Sequence, residues 1–363
     1  MKNIFSNSKT LLTAAFGLVS IIFMTSTTSC SEKRENLNPE RITAQNARSV
    51  SSNKNQIPVA AAQTDTVLKY KPDHPIRYKA IATRKVKSFS ALKEKYGEEG
   101  AKLILALNRV DEKDFRKSDT LIVPDVIGNI LTYSPFPYVI EAARPIPKLI
   151  LISRKIQAIG AYENGMLVRW GPTSTGRKSK PTPEGLFSMN WKAKKTTSTI
   201  DSSWILPFYF NFNNKEGVAL HQFDMPGYPA SHACVRLLEG DAKWFYYWAE
   251  QWMLADDGSF AAHGTPVIVF DEYGWGKRRP WRSFLENPYG AVVSQTEIDS
   301  LMNKYLAQIK ERSEKRLQLV DEIKRKKAEK EAWAKSVKTM SVDSLPLSPQ
   351  PQSAEVKKMD SKE

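Results

Sequence analysis

The chain has 363 residues with 41% hydrophobic and 10% aromatic content, enough apolar material for one or two buried cores with length left for linkers. A net charge of +15 points to polyanionic surroundings, which could be nucleic acid, anionic lipid or an acidic wall polymer. Four scattered histidines and two cysteines give no metal-ligand spacing, and no Gly-rich phosphate loop or G-x-S-x-G elbow occurs, so no cofactor and no serine hydrolase are expected.

Lys2 and Lys9 precede an apolar run over 11–24. It is long enough for the core of an export signal and shorter than the roughly 20 residues a membrane-spanning helix needs. Export removes nucleic acid from the partners that the charge allows. The run ends in Thr27-Thr28-Ser29-Cys30, small residues leading into a cysteine, which resembles the lipobox of bacterial lipoproteins except at Thr27, where leucine is usual. The resemblance implies that 1–30 is a lipoprotein signal peptide and that Cys30 is acylated, anchoring the chain by lipid to a membrane of the cell envelope, facing the periplasm. An ordinary signal peptide cut nearby would leave Cys30 without a role.

Residues 31–76 are rich in Asn, Ser, Gln, Arg and Thr with almost no apolar periodicity and read as a flexible linker; His74 within it carries no functional case. Over 77–125 the pattern is compact. A strand-like Ser90-Ala91-Leu92-Lys93-Glu94-Lys95-Tyr96-Gly97 precedes a helical Leu103-Ile104-Leu105-Ala106-Leu107-Asn108 and a closing Leu121-Ile122-Val123-Pro124. This resembles a divergent LysM module, the βααβ glycan-binding unit, without its usual Gly-Asp before the first helix. A generic small α/β subdomain is the other reading.

The block 147–271 is mostly strand. Apolar runs at Leu149-Ile150-Leu151-Ile152 and Ile156-Gln157-Ala158-Ile159 lead to Asn164-Gly165 between apolar segments, the strongest short-range hairpin signal. Further strands are expected over 186–190, 204–212, 218–221 and 266–270, and helical spacing is confined to 241–253. There Trp244, Trp248 and Trp252 share one face, which suits core packing better than sugar stacking. At 294–337, Ser294-Gln295-Thr296-Glu297 has the form of a capping box. Ile298, Leu301, Met302, Tyr305, Ile309, Leu317, Val320 and Ile323 follow at three- and four-residue steps, an amphipathic helix with a basic outer face. The tail 338–363 has the composition of a disordered segment.

Chemistry concentrates in Ser231-His232-Ala233-Cys234-Val235-Arg236-Leu237, where a cysteine sits beside one histidine and downstream of another, His221. A thiolate paired with an imidazole is a nucleophile for acyl transfer. Read with Asn164-Gly165, Ser174-Thr175-Gly176, Thr182-Pro183-Glu184-Gly185-Leu186-Phe187 and Gly264-Thr265-Pro266-Val267, the order of pieces resembles the L,D-transpeptidase (YkuD) catalytic domain over 147–271, about a third of the chain.

That resemblance implies a mainly β catalytic domain, a β-sandwich or barrel with a short helix after the nucleophile. It implies Cys234 as nucleophile and His221 as the histidine that holds it as a thiolate. Backbone N–H groups around His232, Ala233 and Cys234 would receive the oxyanion, with Ser231 and His232 shaping the site and Arg236 bracing the loop or facing an acidic stem peptide. Tyr209, Phe210, Gln222 and Tyr228 are expected along the substrate cleft. Two positions depart from the family, Ala233 and Gln222, where glycine is usual.

The implied reaction takes a peptidoglycan stem tetrapeptide, releases D-alanine, and passes the acyl group from Cys234 to an amine, for cross-linking or protein attachment. Water as acceptor would make the same site a carboxypeptidase or hydrolase, and a wall-binding lipoprotein without catalysis is the alternative from another class. Peptidoglycan glycan and stem peptides are the implied partners. The sequence sets no oligomeric state.

Overall fold

The computed structural model describes residues 75–339. The export signal, Cys30, the linker up to His74 and the tail from Met340 onward lie outside the described residues. Among the described residues no helix is long and apolar enough to cross a membrane.

The first elements are β1 (Tyr78–Ala82), α1 (Phe89–Asn108) and β2 (Thr120–Pro124), with β1 and β2 paired antiparallel. Ser88 caps α1, accepting from the Ala91 N–H at 3.2 Å. The stretch expected as a strand at Ser90 to Gly97 is instead the first part of this helix. Phe89, Leu92 and Tyr96 recur at helical steps and face the core of Ile104, Leu121 and Val123, so burial overrides the strand reading. Gly97, at φ 73°, breaks α1 into two helical pieces, giving the order βααβ. Buried Asn108 ties helix to strand, donating to the Ile104 and Ile122 carbonyls and accepting from the Ile122 N–H, each at 2.8 Å.

The catalytic block contributes β3 (Lys148–Ser153), β4 (Ala158–Glu163), β5 (Met166–Ser174), β6 (Gly185–Ser188), β7 (Lys192–Thr197), β8 (Ile205–Asn213), β9 (Val218–Gln222), β10 (Val235–Leu237) and β13 (Pro266–Phe270) to one nine-stranded sheet. The order across it is β6-β13-β3-β4-β5-β10-β9-β8-β7. Period-two alternation sends neighbouring residues into different cores. Leu149, Leu151, Tyr162 and Trp170 pack with Leu103 and Leu107 of α1, whereas Ile150, Ile152, Phe210, Leu220, Val235 and Leu237 pack on the opposite face with Phe245.

Phe245 belongs to α2 (Glu239–Trp248), which ends at Ala249 in extended conformation. The helix expected to 253 therefore stops earlier, and Met253 enters a two-stranded ribbon, β11 (Met253–Leu254) with β12 (Phe260–Ala262). Trp244 and Trp248 stack at 4.9 Å on α2 and cover the second core; Trp252 lies beyond the helix and meets Phe260.

Arg109, fully buried, joins the first unit to the sheet. Its guanidinium donates to Ala106 and Leu107 carbonyls at the end of α1 and to the Ile156 carbonyl in the β3–β4 turn, between the rings of Trp170 and Trp281.

The last element is α3 (Gln295–Thr339), 45 residues long. Ser294 and Glu297 form the reciprocal capping box: the Ser294 N–H donates to the Glu297 carboxylate at 2.9 Å and the Glu297 N–H to Ser294 Oγ at 3.2 Å. Ile298, Met302 and Ile309 are buried in the first core, and Arg316 reaches Glu250 and the carbonyls of Gln251 and His263. Farther along, the apolar stripe continues without cover, with Leu317 47% and Ile323 43% exposed. The fold is mainly β in the catalytic block with a long C-terminal helix, as the sequence implies.

The β4–β5 turn offers a test. Asn164 and Gly165 both take positive φ, 47° and 74°, and a Cβ on Gly165 would lie 2.5 Å from the Ile140 carbonyl oxygen. Gly165→Ala should lower the unfolding free energy by about 1–3 kcal/mol, read as a lower denaturant midpoint at unchanged slope.

Candidate active site

The site is built by strand register. β10 runs parallel to β9, with Val235 opposite Leu220 and Arg236 opposite His221, and antiparallel to β5, with Arg236 opposite Ser174. Alternation turns Val235 and Leu237 into the core, so Cys234 and Arg236 share the other face with Ala219 and His221. There a small pocket, partly open to solvent, is lined by Cys234, His221, Ser231, His232 and Arg236 together with Trp204. The tip of the β7–β8 hairpin adds Ser198 and Ile200 to its wall.

His221 is 4% exposed, and its Nδ1 lies 3.0 Å from the Gln222 carbonyl oxygen. A carbonyl only accepts, so Nδ1 carries the proton and Nε2 is left as the ring's acceptor. Burial, helped by the nearby Arg236 charge and opposed by the Gln222 hydrogen bond, pulls this imidazole from 6.5 down to about 4. Cys234 is the free cysteine among the described residues. Its thiol donates to the Gly217 carbonyl at 3.7 Å, and burial raises its pKa against lowering contributions from Ala219 and Arg236. Both partners therefore rest neutral at pH 7. The sequence expectation of a standing thiolate–imidazolium pair is corrected here: desolvation of both groups exceeds what their surroundings return.

The loop carrying Cys234 is tied down at several points. The Ser231 N–H donates to the Thr175 carbonyl at 3.1 Å, the Arg177 N–H to the Ser231 carbonyl at 2.9 Å, and Ser231 Oγ to the Cys234 carbonyl. Thr182 Oγ1 donates to the Ala233 carbonyl at 2.7 Å and accepts from the Gly176 N–H at 2.9 Å. Gly176 admits no side chain, since a Cβ would lie 2.2 Å from the Lys180 carbonyl oxygen. Behind these, buried Gln157 makes a two-way amide pairing with Thr175: Nε2 to Thr175 Oγ1 and Thr175 N–H to Oε1, each at 2.8 Å.

Ala233 sits at φ 82°, a region where a Cβ is strained and glycine is not. Its N–H and that of His232 have no hydrogen-bond acceptor among the described residues, which leaves two backbone donors beside the thiol. The His232 ring packs at 5.3 Å on Trp204, and its Nδ1 is buried without a partner. Arg236 lines the pocket, donates to the Asp224 carbonyl at 3.2 Å and lies 4.6 Å over Phe223, so it serves both as loop brace and as a cation facing the cavity.

Four expected cleft residues separate. Tyr209 shares the Cys234 face, packed with Leu206, Ala219 and Cys234, and its hydroxyl donates to the same Gly217 carbonyl at 3.4 Å. Phe210 points the other way into the second core, a correction that follows from strand parity. Gln222 contributes its carbonyl to His221, not its side chain to the pocket. Tyr228, 44% exposed, lines a neighbouring cleft.

Trp204, Phe223 and Ser198 line the pocket without having been singled out, because only the folded hairpin brings them to Cys234. Gln157 carried no signal beyond its place in an apolar run, while Thr175, Gly176 and Thr182 lie within the motif pieces.

Relief of strain at Ala233 is measurable: Ala233→Gly should stabilise the fold by about 1 kcal/mol, read as a higher denaturant midpoint. His221 gives a pH signature. Between pH 6.5 and about 4 the unfolded chain binds a proton at this ring that the folded chain refuses, so stability is full above 6.5 and falls as pH drops through that window. The loss attributable to the ring is on the order of 3 kcal/mol and should be absent from His221→Gln when both are unfolded in denaturant at each pH.

No protein of curated function matches the chain. Among solved structures, an L,D-transpeptidase from Stackebrandtia nassauensis is 22% identical over 51% of this chain and 77% of that one, with a TM-score of 0.32. One from Mycobacterium smegmatis is 20% identical over 34% and 59%, at 0.28. One from Mycobacterium tuberculosis H37Rv is 21% identical over 34% and 58%, at 0.27. The chain thus spans less than two thirds of the two mycobacterial proteins' length, and likenesses of this degree carry no inference about activity. Residues 147–269, which hold both His221 and Cys234, match the family model of the L,D-transpeptidase (YkuD) catalytic domain.

Proposed function

We propose that this protein is a cysteine-dependent peptidoglycan L,D-transpeptidase. The observation that carries the reading is the pairing of β9 with β10, which sets Cys234 and a neutral His221 with a free Nε2 in one pocket. In the proposed acylation the Cys234 sulfur attacks the carbonyl that precedes the terminal D-alanine of a stem tetrapeptide while His221 Nε2 takes the thiol proton. The C–N bond breaks, the proton passes from His221 to the departing amine, and a thioester remains on Cys234. An acceptor amine then attacks the thioester, gives its proton to His221, and expels the sulfur, which recovers that proton.

Because both groups rest neutral, proton transfer accompanies attack. The N–H groups of His232 and Ala233 are suited to the developing oxyanion, a role worth about 2.7–4 kcal/mol per donor in acyl-transfer enzymes. Arg236 supplies a cation for a stem carboxylate.

The rest of the chain is read in the same setting: export, acylation of Cys30 and a linker would hold the domain at a membrane within reach of the wall. The β1-α1-β2 unit, with its βααβ order, would act as a LysM-like contact to glycan.

The test is to incubate the full-length protein in detergent with a purified disaccharide-tetrapeptide and follow products by mass spectrometry. Released D-alanine and a Cys234 adduct are expected; cross-linked products indicate transfer, and tripeptide alone indicates water as acceptor. Cys234→Ala should abolish the adduct. His221→Ala should slow acylation by about 100-fold or more at neutral pH, with partial recovery at alkaline pH where the thiolate forms unaided. Wild-type rates in His221→Ala would show the pair to be misassigned.

A further inference from the structure

A short run of consecutive residues between the strand of His221 and the loop of Cys234 touches the site at every step. The Gln222 carbonyl fixes the His221 proton on Nδ1. Phe223 lies 4.6 Å under the Arg236 guanidinium and meets the His221 ring edge-on at 5.9 Å, and the Asp224 carbonyl accepts from Arg236 Nη1 at 3.2 Å. Met225, fully buried, and Pro226 complete the run, and both are held from outside the matched domain.

The hold comes from the connection that follows α1. Val110 forms an antiparallel bridge with Pro226, and the Asp111 N–H donates to the Met225 carbonyl at 3.1 Å. Pro226 has no N–H to give such a bridge, and the neighbouring N–H, that of Met225, is taken by a side chain, Asp111 Oδ2 at 2.8 Å. Oδ1 of the same carboxylate accepts from the Lys113 and Asp114 N–H groups at 2.9 and 2.7 Å, which fixes its orientation. Gly227, at φ 83°, lets the two segments close up, since a Cβ there would lie 3.1 Å from Val110 Cγ1. The ion pair of Lys113 with Asp224, exposed and 3.5 Å long, adds little to this.

An arginine head is aimed only as firmly as the groups that hold it. Here those groups are a carbonyl and a ring on the run itself, and the guanidinium they hold is close enough to Cys234 and His221 for its charge to act on both. Asp111 precedes the matched span 147–269 and still pins the backbone on which that aim depends.

We propose that Asp111 is a positioning residue for Arg236: through the Met225 backbone it holds the Phe223–Asp224 segment that directs the guanidinium into the pocket of Cys234. What the cation meets there, a stem carboxylate, rests on the transpeptidase reading; its placement does not. The connection after α1 is on this account a working part of the site, whatever the β1-α1-β2 unit binds.

The test reads the charge beside the thiol without any substrate. Full-length protein in detergent is alkylated with iodoacetate, an anion, and in parallel with iodoacetamide, its neutral counterpart, and modification of the Cys234 peptide is followed by mass spectrometry. Both reagents consume the thiolate, so the ratio of their rates does not depend on how much of it is present. The iodoacetate-to-iodoacetamide ratio of the wild type should exceed that of Arg236→Gln by about fivefold or more. Asp111→Ala should lower it by about threefold or more, toward the Arg236→Gln value. Asp111→Asn, which keeps the size of the side chain and loses one of its two acceptors, reads the same quantity if the alanine variant does not fold. Gly165→Ala, destabilised at the β4–β5 turn, should keep the wild-type ratio, which separates lost positioning from lost stability. An unchanged ratio in a folded Asp111 variant would overturn the proposal. So would an equal fall in Gly165→Ala, or a wild-type ratio equal to that of Arg236→Gln. Absence of D-alanine release by the unmodified protein would sink the transpeptidase reading and leave these ratios standing.

Discussion

A strand of three residues, β10, holds the two halves of the nine-stranded sheet together. On one side it pairs antiparallel with β5, on the other parallel with β9, and among the described residues no other strand joins those halves. Cys234 immediately precedes it, so the register that closes the sheet also sets the position of its thiol. A slip of one residue would turn Cys234 into the core of Phe210, Leu220 and Phe245 and bring Val235 to the pocket. Burial of Val235 and Leu237 thus protects the position of the thiol as well as the sheet.

A short strand resists slippage only if its approach is fixed, and the approach is fixed from behind. Arg109 grips the turn that ends in Gln157, Gln157 holds both polar faces of Thr175, and Thr175 takes the Ser231 N–H. Thr182 completes the brace at Ala233. Arg109, Gln157 and Ala233 all carry positive φ, at 56°, 52° and 82°, so the strain is spread along this chain of contacts. Backbone strain persists only where the surroundings over-determine it, and here the surroundings are buried amides and hydroxyls.

Much of this was legible in the residues. The Asn164-Gly165 turn, the capping box at Ser294 and the strands around Leu149, Val218 and Pro266 follow from local rules. The grouping of Cys234 with His221 was implied by the family resemblance, through the order of its motif pieces. The failures have physical causes. Ser90 to Gly97 reads as a strand until Leu92 and Tyr96 are seen to share a buried helical face. Lys192–Thr197, an edge strand of lysines and threonines, gives no apolar alternation to detect. Tyr209 and Phe210 differ only in parity, which depends on the bulge between Asn211 and Asn213 in the β8–β9 pairing. The ionisation of Cys234 and His221 is a property of burial, and a sequence does not display burial.

The neutral resting state of Cys234 has a consequence for the protein's durability. Small oxidants and electrophiles react with thiolates, and their rates follow the fraction ionised. A thiol kept protonated by burial, with its hydrogen directed at the Gly217 carbonyl, offers them little to attack. Reactivity would then arise only when a carbonyl enters the pocket within reach of the sulfur and His221 can accept the proton as the bond forms. The thiol would be guarded between encounters by the same desolvation that, at first sight, weakens it.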